Sequence, residues 1–147
     1  MSATVDVNVL LHASDSDTAE HAAAQGLIQR LVAGPALTTL FWPVLLSYLR
    51  IATNPRVYDR PHSPAETVKV VDGLLAASTV RVVGEDANTW SVYKHLDIGQ
   101  PIRGDLVPDA VIVAMMLSNG VSTIYTRDRG FRRFDGIKVV DPFAAVE

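Results

Sequence analysis

Ala3-Thr4-Val5-Asp6-Val7-Asn8-Val9-Leu10-Leu11 is apolar and rich in β-branched residues around two polar ones, Asp6 and Asn8. So short an apolar run, with so little alternation, predicts a strand over residues 3–11 that is buried on both faces, as in a parallel sheet. Asp6 and Asn8 are two apart, so an extended chain puts them on one face. A carboxylate in a buried strand is costly unless it is paired or bound to a ligand. Asp6 is therefore a candidate functional residue.

Outward from this stretch, strands and helices alternate. A polar turn over 14–17 leads to a helix over 18–33, with Leu27, Ile28, Leu31 and Val32 on one face and Gly34-Pro35 as its stop. Residues 36–40 form a short strand candidate. Trp42-Pro43 opens a helix running to Ala52, and Asn54-Pro55 ends it. Ser47 and Arg50 share a face of that helix. After a charged loop over 55–62, Ser63-Pro64-Ala65-Glu66 reads as a capping box heading a third helix. Residues 80–83 form another strand, and Asp86 caps a helix carrying Trp90, Tyr93 and Leu96. Strands over 121–125 and 137–140 complete the pattern, with the basic, aromatic segment Gly130-Phe131-Arg132-Arg133-Phe134 between them. Such alternation indicates a single α/β domain over 1–147 with a mostly parallel sheet.

The second informative stretch is Arg103-Gly104-Asp105-Leu106-Val107-Pro108-Asp109-Ala110, followed by an apolar run to Leu117 and a stop at Asn119-Gly120. Asp105 and Asp109 are four apart, so early in a helix their carboxylates lie on one side. Asp105 also suits a helix N-cap, and both readings stay open. Asp109, at the mouth of an apolar helix, is harder to explain by capping. In open parallel sheets, sites lie beyond the carboxyl ends of the strands. Asp6 stands at the end of the first strand, and Asp128 lies just past the 121–125 strand with Thr126 two residues before it. Four carboxylates, Asp6, Asp105, Asp109 and Asp128, are thus expected at one edge. Neighbouring carboxylates repel one another, and Mg²⁺ or Mn²⁺, which prefer hard oxygen ligands, offsets that repulsion.

The 147 residues are 48% apolar and 20% charged, with no cysteine, which excludes disulfides and thiolate metal sites. No signal-like segment and no window of about 18 apolar residues is present, so a cytosolic protein with no membrane span is expected. A net charge of −3 argues against a passive nucleic-acid coat. Arginines nevertheless cluster at Arg50, Arg56 and Arg60, at Arg103, and over 127–133. Acids to hold metal beside arginines to hold phosphate suit phosphodiester chemistry. His12, His21, His62 and His95 lack metal-ligand spacing, and Trp42 and Trp90 read as core residues.

With these residues in hand, the chain resembles the PIN-domain nucleases, in particular the VapC-type toxins of bacterial toxin–antitoxin pairs. DVNVLLHA supplies the first acidic motif at Asp6, followed by Asn8. WPVLLSYLRIATNPRVY is similar to the family's second helix, DLVPDAVIVAMM carries an acidic motif at Asp109, and TIYTRDRGFRRF carries another at Asp128. The resemblance implies a three-layer α/β/α sandwich and a Mg²⁺- or Mn²⁺-dependent ribonuclease. Asp6, Asp105, Asp109 and Asp128 would hold metal, while Asn8, Ser47 and Thr126 would position water or carboxylates. Arg50, Arg127 and Arg129 would meet RNA phosphates. It further implies a homodimer and a small cognate antitoxin; independently of it, the apolar helices around Leu27, Leu31, Leu45 and Leu49, which a lone domain is not expected to cover fully, suggest a protein interface. In one respect the chain departs from the pattern: the family has a glutamate where Ser47 stands. Asp105 is expected to supply the missing charge, the alternative being a catalytically impaired RNA- or antitoxin-binding module. A receiver domain is excluded by the lack of an adjacent acidic pair after the first strand, and a dinucleotide fold by the lack of G-x-G-x-x-G.

Overall fold

The computed structural model describes residues 2–144. Five strands form one sheet: β1 (Ala3–Val5), β2 (Thr38–Phe41), β3 (Val80–Val83), β4 (Thr123–Tyr125) and β5 (Lys138–Val140). Their order is β3-β2-β1-β4-β5, and every pairing is parallel. The helices are α1 (Val7–Ser14), α2 (His21–Ala33), α3 (Trp42–Ala52), α4 (Pro64–Ala76), α5 (Ala87–Gly99) and α6 (Leu106–Ser118), with a 3₁₀ helix at Arg129–Arg133.

The strand expected over 3–11 stops at Val5. Asp6 caps a helix instead, so Val9 and Leu10 are buried on one side of α1. A short apolar run has no period that separates a buried strand from a buried helical turn. Asp6 and Asn8 do meet, but through cap geometry rather than strand alternation.

The strand order explains how the layers form. From β1 to β3 the chain steps towards one edge of the sheet, and from β3 it crosses to the other side of β1. Right-handed crossovers then put α1–α4 on one face and α5, α6 and the 3₁₀ helix on the other. The packing follows this division: α1 touches α2 and α3, α3 touches α4, and α6 touches α5 and the 3₁₀ helix. The sheet is thus the middle of an α/β/α sandwich. The crevice between β1 and β4, where the chain reverses direction, is the place such sheets leave for a site.

Capping follows the sequence closely. Ser63 and Glu66 complete the capping box of α4, and Asp86 pairs with Thr89 at the head of α5. In α6, Ile112 to Met116 are all buried, as expected of a helix apolar on nearly every side. Trimming Met115 to alanine would cost about 2–5 kcal/mol by cavity formation. That burial fixes the helix which carries Asp109.

Several exposure expectations are corrected. Leu27 and Leu45 are buried, and Leu31 and Leu49 pack half-buried against the core, so these four form no uncovered surface. Trp42 is 41% exposed and Trp90 61% exposed, because both sit on outer helix faces; Trp90 stacks on Tyr93 at 5.8 Å. Among the described residues, no helix is long and apolar enough to cross a membrane.

Candidate active site

Asp6 is the residue at which β1 ends and α1 begins. Its backbone is extended (φ −84°, ψ 166°), and Oδ1 accepts the Val7 amide at 2.7 Å. Its Oδ2 accepts the Thr126 hydroxyl at 2.8 Å and the Asn8 side-chain amide at 3.2 Å. Thr126, buried just past β4, also accepts Asn8 Nδ2 at 2.9 Å and the Asp128 backbone N–H at 2.9 Å. One donor and two lone pairs are therefore all used. Asn8 Oδ1 accepts the Arg127 amide at 3.3 Å, and Asp128 Oδ1 accepts the Gly130 amide at 2.8 Å as cap of the 3₁₀ helix. Asn8 and Thr126 thereby join the end of β1 to the turn after β4 and fix both aspartates.

Asp109 enters from the first turn of α6. A Cβ placed on Gly130 would stand 3.0 Å from Asp128 Oδ1 and 3.4 Å from Asp109 Oδ2. The two carboxylates thus approach the same glycine, which leaves room for them. A cleft of about 410 Å³ opens between Asp6 and Asp109 and is walled by Pro43, Val44, Val107 and Ile112. Asp109 also borders a second depression, about 470 Å³, shared with Asp105, Asp128, Gly130, Arg103 and Arg133. A groove of about 600 Å³ between α1, α2 and α4 contains none of these acids.

The electrostatics are those of an unbalanced site. Burial pushes the Asp109 carboxyl up to about 6, and the charges of Asp128 and Asp6 add to the shift. Burial also raises Asp6, helped by Asp128, although hydrogen bonds from Thr126 and Val7 pull the other way. The ion pairs among the described residues are Arg127–Glu20 at 3.0 Å, His62–Glu66 at 3.0 Å and His12–Glu20 at 3.8 Å; none involves these aspartates.

Such a donor set suits a hard divalent cation, since among the described residues none of these aspartates forms an ion pair. No three acids or histidines among the described residues stand close enough to enclose an ion by themselves. Mg²⁺ does not require that, because it binds through one or two carboxylates and keeps several waters. The residues present therefore fit the ion.

The remaining expected residues separate. Ser47 lines the Asp6/Asp109 cleft and is the polar side chain that α3 brings to it. Asp105 is exposed at the head of α6 and makes no side-chain cap bond; it lies on the far side of Asp109, in the depression with the arginines. Arg50 is exposed in the last turn of α3, and Arg129 is exposed at the start of the 3₁₀ helix. Arg127 turns away from the acids: it pairs with Glu20, lies 4.8 Å from the Phe143 ring centre, and buries Nε without a partner among the described residues. Arg127 thus stands against Glu20 and Phe143, apart from the depression that Arg103 and Arg133 line. Glu85, which sequence reasoning did not single out, also lines the Asp6/Asp109 cleft.

The profile of the PIN domain family matches residues 3–137. The chain is 42% identical over 144 residues to ribonuclease VapC48 of Mycobacterium tuberculosis, covering 98% of this chain and 99% of that protein. It is 36% identical over 130 residues to ribonuclease VapC43 of the same organism, covering 88% of each. Among solved structures, Mycobacterium tuberculosis VapC20, a sarcin–ricin loop cleaving toxin, superposes with a TM-score of 0.67 at 20% identity, over 95% of this chain and 99% of that one. VapBC2 of Rickettsia felis, bound to a promoter DNA fragment, gives 0.69 at 13% identity, over 95% and 97%. At these identities the two structures bear on the fold, which they share with this chain.

Proposed function

The chain belongs to the PIN-domain family, and from that premise we propose that it is a divalent-metal-dependent endoribonuclease acting as the toxin of a toxin–antitoxin pair. What supports this most is the approach of Asp6, Asp109 and Asp128, from the end of β1, the start of α6 and the turn after β4, none of which forms an ion pair among the described residues. The identity to ribonucleases over nearly the full length supports the choice of RNA.

Asp6, Asp109 and Asp128 would hold Mg²⁺ or Mn²⁺, directly or through water. Such an ion lowers the pKa of a bound water and stabilises charge on the leaving oxygen. The chain's own residues do the rest. Thr126 and Asn8 hold the Asp6 carboxylate in one orientation, and the Gly130 amide holds Asp128. Apolar walls at Val44, Val107 and Ile112 lower the local dielectric and strengthen each charge interaction. In hydrolysis the water oxygen bonds to phosphorus, the bond to the leaving ribose oxygen breaks, and that oxygen gains a proton. No protein nucleophile is needed. Asp105 is an outer acid of the same site, and Arg50 and Arg129 are exposed contacts for more distant phosphates.

The partners are RNA, a second copy of the chain, and a small antitoxin whose arginine pairs with the unbalanced acids; the setting is the cytosol. One observation favours a second reading, a catalytically impaired binding module: α3 offers the cleft the hydroxyl of Ser47 and no carboxylate. Incubation of the purified protein with total RNA in Mg²⁺, Mn²⁺ and EDTA separates the two. Discrete cleavage products that vanish with EDTA are expected, and intact RNA in all three arms would favour the binding module.

A further inference from the structure

Arg103 and Arg133 come from different parts of the chain, one from the loop before α6 and the other from the end of the 3₁₀ helix, yet both line the depression that Asp109 and Asp128 border. We propose that this pair forms the phosphate-binding subsite that seats the RNA backbone beside the metal-holding acids, an inference that rests on the ribonuclease reading.

Three observations carry it. The first is availability. Neither guanidinium forms an ion pair among the described residues, although Asp105, Asp109 and Asp128 share the depression. Arg127, by contrast, is held by Glu20.

The second is how Arg103 is placed. Gly104 follows it with φ of +54°, a conformation side chains rarely adopt. The Leu106 amide donates to the Arg103 carbonyl at 3.1 Å, and the Val107 amide to the Gly104 carbonyl at 3.0 Å. This turn sets Arg103 at the head of α6, where the helix dipole adds positive potential. On the other side, the Gln100 side-chain amide donates to the Arg133 carbonyl at 3.2 Å and ties the two loops together.

The third is chemical order. An acid pair that holds a cation and an arginine pair that grips phosphate oxygens, sharing one wall, place a phosphodiester between them. The strand crosses the depression with its bridging phosphate against Asp109 and Asp128 and the adjoining phosphate on the guanidinium forks.

The test is the salt dependence of RNA binding. The parent is the Asp6→Asn protein in Mg²⁺, which keeps the helix cap but removes a metal-holding charge, so that RNA survives the titration. Fluorescence anisotropy with a short, mixed-sequence, end-labelled single-stranded RNA gives the affinity between about 50 and 200 mM salt. Arg103→Ala and Arg133→Ala should each flatten the slope of log affinity against log salt by about 0.7, and by about 1.4 together. Arg103→Lys and Arg133→Lys should keep the slope, since the charge remains, and Arg127→Ala should leave it unchanged. A parent that binds RNA while the double alanine variant keeps the parent slope would overturn the subsite and leave the ribonuclease reading standing. So would a loss of slope in Arg127→Ala alone. A parent without RNA affinity would overturn both.

Discussion

The Thr126 hydroxyl donates to Asp6 Oδ2 at 2.8 Å, between residues 120 apart in sequence. This bond joins the two sides of the β1/β4 crevice, and it opposes the effect of burial on the Asp6 carboxyl. Thr126→Val keeps the shape and removes the hydroxyl. It leaves a carboxylate oxygen, the Asn8 amide and the Asp128 amide each short of a partner. The variant should lose about 1–3 kcal/mol of stability. Its Mn²⁺ affinity should fall about 10–100-fold, as expected when a group that orients a metal ligand is lost. Urea unfolding and calorimetry read the two effects; unchanged Mn²⁺ affinity would mean that Thr126 is a structural link only.

Asp109 sets a pH dependence of stability. Its carboxyl titrates at about 6 in the folded chain against an ordinary value of 3.8, so between those values the folded state binds more protons than the unfolded one. The associated stability is present below the ordinary carboxyl range and is lost as pH rises through about 6. Asp109→Asn should therefore stabilise the metal-free protein at neutral pH by about 1 kcal/mol, allowing for solvent screening. The advantage should fade on acidification. Chemical unfolding of both proteins in EDTA across pH checks this, and a variant less stable than wild type at neutral pH would contradict it.

Gly130 tests the spacing of the acids. A methyl group there would press on Asp128 Oδ1 at 3.0 Å and approach Asp109 Oδ2 at 3.4 Å. Gly130→Ala should lower RNA cleavage at limiting Mn²⁺ about tenfold by displacing a metal-holding oxygen. Its melting temperature should change little, because the backbone there needs no positive φ. Wild-type cleavage would mean that Asp128 lies outside the reacting centre.

Ser47 and Asp105 answer the question of the missing carboxylate. Asp105 makes no side-chain cap bond, so Asp105→Asn removes a charge and nothing else that the helix uses. As an outer acid it should cost about tenfold in cleavage, against more than about 100-fold for Asp128→Asn. Ser47→Glu, which places a carboxylate in the Asp6/Asp109 cleft, should recover part of the Asp105→Asn loss. Full activity in Asp105→Asn would assign that residue to the surface, leaving Glu85 as the extra acid that borders the cleft.

The parts of this molecule written locally in the sequence are those legible there. Ser63 with Glu66 announces α4, and Gly34 ends α2 in the structure as in the sequence. Short β-branched runs between helices sufficed for a parallel sheet, and the carboxyl-end rule then picked out Asp6 and Asp128. The same rule reaches Glu85, which lies two residues past β3, but no spacing motif drew attention to it. The β1–α1 boundary was hidden because Val7 to Leu11 reads equally as strand or helix; Asp6, a common cap residue before an apolar run, was the available signal. The tie between Arg127 and Glu20 spans 107 residues and has no local signature, so nothing in the sequence pointed to it. The exposure of Trp42 and Trp90 depends on which helix face lies outward, which aromatic content cannot tell.

Everything proposed for the site turns on whether its three unbalanced aspartates take up a divalent ion. Calorimetric titration of Mn²⁺ into the wild-type protein and into Asp109→Asn at neutral pH measures this directly. Expected is saturable binding to the wild type, weakened at least about tenfold in the variant, a difference of about 1.4 kcal/mol. Indistinguishable titrations, or no binding to either protein, would contradict it.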